Sequence, residues 1–172
     1  MAAAAVTLAL MGRVPICTCG QVKVWHGVVL SAENSQHLTD WYTLTHVIHG
    51  FGFYGLLWLI ARRWPIAPRF VAAIALESAW EVFENTDFVI NRYREATIAL
   101  DYYGDSVLNS VADIVAMCAG FFLASRLRVL TIVATAAALE TFLAYMIRDN
   151  LSLNILMLLS PLEVVRVWQA GA

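Results

Sequence analysis

Two apolar helical runs carry acids in their interiors. Glu77, Glu81 and Glu84 stand at i, i+4 and i+7, on one helix face. Asp105, Asn109 and Asp113 stand at i, i+4 and i+8 and share a face of the next helix. His46 and His49, one turn apart, open the apolar run before them. Imidazoles beside carboxylates supply two kinds of chemistry. His46 or His49 can take a proton as a base oriented by an acid. Alternatively, His46 and His49 with Glu81, Glu84 and Asp105 form a mixed nitrogen/oxygen set for a divalent metal. The expected catalytic group is His46, His49, Glu81, Glu84, Asp105 and Asn109, with His46, His49 and Glu81 as metal ligands and a divalent metal as the candidate cofactor. Histidines three apart often only share a helix face, and the chain has no His-Glu-x-x-His zinc motif or Gly-x-Ser-x-Gly nucleophile elbow.

Three further acids, Glu77, Asp113 and Glu140, fall near mid-helix with no basic partner expected at their depth. An acid at the centre of a bilayer costs about 3 kcal/mol even on lenient scales, so such groups must face each other, water or a metal. They can hydrogen-bond while protonated, relay protons or hold a cation. Cys17-Thr18-Cys19 offers a disulfide, a soft metal site with His26 or His37, or bridges to other chains. Cys118 reads as a small packing residue. Tyr102-Tyr103-Gly104-Asp105 reads as interfacial aromatics, a turn and a helix cap.

The elements that must position these groups are membrane helices. The 172 residues are 60% hydrophobic and only 14% charged, where a soluble domain has roughly 25%. With one lysine and no basic tract, nucleic-acid binding is set aside. The start, MAAAAVTLALMGR, predicts no cleaved signal peptide. Its apolar stretch rises only about half a bilayer core, so the helix either stops short or begins upstream of Met1. Spans are expected at about 44–61, 70–90, 105–125, 129–147 and 151–168, the last bent at Pro161, after an outward loop at 12–43. A polar loop covers 91–104, and Asp105 is expected to cap the helix after it. The fold expected is a single all-α multi-pass transmembrane bundle of about five to six helices. Loops 62–69 and 125–128 hold Arg62, Arg63, Arg69, Arg126 and Arg128 and no acid, while the opposite loops mix both signs. The positive-inside rule puts the acid-free loops in the cytoplasm and the acidic pocket on the outer side.

The runs GRVPICTCGQVKVWHGVVLSAENSQHLTDWYTLTHVIHGFGFYGLLW, ESAWEVFEN, INRYREATIALDYYGDSVLNSVAD and YMIRDNLSLNI resemble domain-of-unknown-function family 2585, over nearly the whole chain. That resemblance implies a multi-pass protein of the bacterial inner membrane and brings no established activity. Members of the family carry a complete first span, from which this start departs. A looser similarity is to the VanZ-like membrane proteins, through Asp40 and His46, Glu77 or Glu81, Arg92 or Arg94, Asp105, Asn109 and Gly120. The step from Asp40 to His46 is longer than in that pattern, and Cys-Thr-Cys has no counterpart there. It implies an envelope lipid or lipid-linked ligand. Three functions remain open: a membrane-embedded enzyme on such a substrate, an ion- or proton-coupled transport or metal-binding module, and a structural subunit that docks a partner.

Overall fold

The computed structural model describes residues 1–97 and 101–171. Residues 98–100 of the expected polar loop lie outside that description. The described residues form eight helices: α1 Ala2–Leu10, α2 Thr43–Ile60, α3 Ile66–Glu84, α4 Asp87–Ala96, α5 Val107–Arg126, α6 Val129–Ile147, α7 Leu151–Leu159 and α8 Glu163–Ala170. Three of them, α2, α5 and α6, are long and apolar enough to cross a membrane, fewer than the five to six expected. Helix α3 is as long, but Arg69, Glu77, Glu81 and Glu84 interrupt its apolar character.

Local chemistry explains where the expected boundaries moved. The third helix does not run on to Ile90, because Asn85 ends it and the Thr86 side chain accepts from Val89 N–H to start α4. Residues 91–96, expected as loop, therefore continue an amphipathic helix. Ser106, not Asp105, caps α5: its hydroxyl accepts from Asn109 N–H at 3.1 Å. The last expected span is two helices, since Pro161 stops α7 after nine residues. Nine residues rise about 14 Å and cannot cross a core of about 30 Å. Helix α8 instead puts Val164, Val167 and Trp168 on one exposed face beside a Glu163–Arg166 ion pair.

The tightest pair is α2 with α5. It crosses at Gly50 and Gly120, where the missing side chains let backbone meet backbone. Around and below that crossing Leu57, Ala73, Ile114, Met117 and Phe121 form an apolar core, against which Phe53, Tyr54 and Phe70 pack. Helix α1 adds Ala4 and Leu8 to the bundle beside α3 and α5. Leu143 is the one fully buried residue of α6, which leaves Leu130, Val133 and Phe142 exposed, as a lipid-facing helix would. Above the crossing the interior becomes polar.

Loop 12–43 folds over the upper end of α5 and satisfies its unpaired amides. Ser106 N–H donates to Ser35, Val107 N–H to Val14 and Leu108 N–H to Pro15, at 2.9, 2.9 and 3.2 Å. Asp40 closes the loop onto α2 by accepting from Tyr42 N–H at 2.8 Å and Thr43 N–H at 3.3 Å.

Candidate functional site

The α2–α5 crossing sets His46 and Asp113 opposite each other, one to two turns above the glycines, and α3 feeds its acids between them. His46 Nδ1–H donates to Glu77 at 2.5 Å. The same carboxylate lies 3.2 and 3.1 Å from His49 Nδ1. Two imidazoles 4.9 Å apart thus share one fully buried acid. Trp80 presents its ring edge-on to His49. Glu81 lies 3.4 Å from His46 Nδ1, and Asp113 lies 3.8 Å from His46 Nε2. The expectation that Glu77 and Asp113 lack a basic partner is overturned. Glu140 does not join them: its two carboxylate oxygens accept from Leu151 and Ser152 N–H at 3.0 Å each, capping α7.

A cavity of about 70 Å³ opens above the histidines, room for several waters. His46 and His49 are at its floor, with Trp80, Glu84 and Asp113 in its wall. At its rim Tyr93 OH donates to Glu84 at 3.0 Å and lies 2.7 Å from Asn154 Oδ1. Tyr42 OH donates to Asp149 at 3.0 Å. Asp105 also lines the cavity, tied down by Asn85 Nδ2 at 2.8 Å and Tyr102 OH at 3.0 Å, while its own N–H donates to Asn85 at 2.7 Å. Of the expected group, His46, His49, Glu81, Glu84 and Asp105 gather here. Asn109 turns away and donates to the His37 carbonyl at 3.0 Å, holding the loop. Glu77, expected at one depth with Asp113 and Glu140, joins Asp113 around His46 but not Glu140, and Asn85 is absent from the expected group, its signal being a lone amide one turn beyond Glu81.

The outer loop holds Cys17 and Cys19 as a disulfide. Glu33 and His37 lie close enough to share a metal with them, one of three such groups among the described residues; the others are His46–His49–Glu77 and His46–Glu81–Glu84. In the loop, however, the ligands are already engaged. His37 Nε2 contacts Glu33 at 2.9 Å and His37 Nδ1 accepts from Lys23 N–H. His26 is spent on Ser31 and the Val28 carbonyl. The hydrogen bond from Lys23 holds the Glu33 carboxyl down to about 2.

Two acids at the cavity shift the opposite way to Glu33. Burial pushes the Asp105 and Asp149 carboxyls up to about 6 each. Between about pH 4 and 6 the folded chain therefore holds more protons at these sites than the unfolded chain does. Folding is favoured as pH falls through that window and loses this contribution as pH rises past 6. The melting temperature in detergent should accordingly be higher at pH 5 than at pH 7, and Asp149→Asn should flatten the difference. A wild-type protein that melts lower at pH 5 would contradict this assignment.

Fold and site together define an all-helical protein with three helices able to cross a membrane and a buried carboxylate–histidine cluster beneath a polar cavity. The chain belongs to the family described as "Protein of unknown function (DUF2585)", which matches residues 8–171. It is similar to a UPF0314 protein of Rhizobium etli (strain CIAT 652), 60% identical over 96% of this chain and 85% of that protein. A UPF0314 protein of Paracoccus denitrificans is 58% identical over 98% and 87%, and one of Sphingopyxis alaskensis is 52% identical over 97% and 89%. No solved structure matches the chain.

Proposed function

We propose that this chain is a multi-pass enzyme of the bacterial inner membrane that acts on an envelope lipid or lipid-linked substrate from a pocket open to the periplasm. The observation that carries the reading is the sharing of Glu77 by His46 and His49 at the floor of the cavity. A carboxylate that grips one ring nitrogen fixes the imidazole's orientation and stabilises the cation formed when the other nitrogen takes a proton. His49, the less buried of the two, is the base; it would accept the proton of an attacking water or hydroxyl. Glu84 and Asp105, above it, would contact the polar part of the substrate.

Helix α3 supplies a fourth crossing, because its interior acids Glu77 and Glu81 are wholly buried while Val71, Leu76 and Phe83 are exposed. Helices α1 and α7 enter the bilayer part-way, and α8 lies along its surface with its apolar face inward. The arginine-rich turns at 62–69 and 126–128 lie at the end of the bundle opposite the cavity, and under the positive-inside rule this supports a cavity that faces the periplasm.

The test is rescue of a deletion strain, read in the lipid profile of its membranes. His49→Ala, present at wild-type level in the membrane, should restore the wild-type profile at least tenfold less effectively. Full rescue by that variant would sink the enzymatic reading.

A further inference from the structure

Among the described residues Glu81 is the acid of the cluster with neither oxygen hydrogen-bonded, its nearest cationic partner being His46 at 3.4 Å. It is fully buried. A buried charge is retained only where it is paired or holds a metal. A proton on Glu81 would remove the charge but leave both oxygens without a hydrogen-bond partner among the described residues. His46 Nδ1, 3.4 Å away, is already engaged with Glu77. Asp113 Oδ1, on the far side of His46, is likewise buried without a partner.

We propose that His46, Glu81 and Glu84 hold one divalent transition-metal ion, with Glu81 as the anchor. One donor atom from each lies within 4.8 Å of the other two. Two ligands about 2.1 Å from a shared ion, at tetrahedral to octahedral angles, stand about 3.0–3.4 Å apart. The observed 3.4 Å between His46 Nδ1 and Glu81 is that separation. An imidazole with two carboxylates suits zinc, manganese or ferrous iron, whereas magnesium and calcium favour all-oxygen sets. His46 and Glu84 line the cavity, so an ion reaches Glu81 by the same route as a substrate. Binding would draw His46 toward the ion and leave Glu77 to His49. The inference rests on the enzymatic reading for its purpose, since the ion would lie beside the His49 base, but not for its evidence.

The experiment uses the full chain, untagged and in detergent, with Cys17→Ser and Cys19→Ser so that loop thiols cannot contribute. After chelator treatment it is dialysed against Zn²⁺ alone or Mg²⁺ alone, and bound metal is measured by elemental analysis. About one equivalent of Zn²⁺ and little Mg²⁺ should be retained. Glu81→Gln, of the same shape and no charge, should weaken Zn²⁺ binding at least a hundredfold. Glu84→Gln, at a less buried position, should weaken it at least tenfold and serves if the first variant does not fold. Wild type retaining no Zn²⁺, or both variants binding like wild type, overturns the site. The two readings fail separately. Loss of rescue in His49→Ala without any bound metal removes only the ion, and one equivalent of zinc with full rescue removes only the enzyme.

Discussion

Replacing Gly120 by valine should leave almost no folded protein. A Cβ at that position would meet the Val47 carbonyl, and one at Gly50 would meet the Met117 carbonyl. Both obstacles are backbone in the middle of helices, so relief requires α2 and α5 to separate. That would open the apolar core around Met117 and Phe121 and pull His46 from Asp113. Overpacking a core costs 1–3 kcal/mol where side chains can yield; here the loss should be at least about 3 kcal/mol. The measurement is the monodisperse fraction and melting temperature in mild detergent. Gly52→Ala and Gly55→Ala are the internal controls. A Cβ there touches nothing within 4 Å, and alanine gains about 1 kcal/mol of helix propensity over glycine. They should melt at or above wild type. If Gly120→Val melts like Gly52→Ala, the crossing is not where the structure places it.

Much of this architecture is legible in the sequence. Long apolar runs with few charges specify helices, and α2, α5 and α6 fall within two residues or so of their expected limits. Short-range signals were misread where two competed. At 105–106 both Asp and Ser are good caps, and the choice fell to Ser106 because Asn85 and Tyr102 claim the aspartate. At 85–90 the apolar count favoured continuation, while Asn85 and Thr86 supplied a stop and a new cap. At 151–168 Pro161 is expected to bend one helix, but its missing N–H ends α7 instead, and Arg92 Nε–H donates to the Leu158 carbonyl of the last turn at 2.9 Å.

The site was legible as a set of residues but not as a set of pairs. Periodicity puts side chains on a face; it does not say which neighbour that face meets. His49 lies six residues inside α2 and Glu77 seven inside α3, about 9 and 10 Å from the same end of the bundle. Equal depth allowed the pairing, but only the rotational setting of α2, fixed by Gly50 against α5, selected it. Asn109 shows the converse. It shares a face with Asp105 and Asp113, yet the loop carbonyl of His37 captures it. No pattern within α5 announces a contact with a residue 72 positions earlier.

Glu77→Ala should be the most damaging change of a single side chain in the site. It removes an acid with no solvent exposure and strips both His46 and His49 of the acceptor they share. Breaking a buried pair by deleting one partner costs about 3–5 kcal/mol, because the other is left uncompensated. Glu77→Gln keeps the volume and one acceptor oxygen, so it should cost only about 1–2 kcal/mol. The ordering separates pairing from packing: a purely steric role would make Gln harmless. A double-mutant cycle makes the point sharper. Once His46 is alanine, much of the reason for Glu77's cost is gone, so His46→Ala/Glu77→Ala should be less destabilised than the sum of the two single variants by at least about 1 kcal/mol. Denaturant unfolding in detergent, compared across the four proteins, reads that difference directly. Strict additivity would mean that the short contact between His46 and Glu77 contributes nothing to holding α2 against α3, and that the cluster is held together by the helices around it.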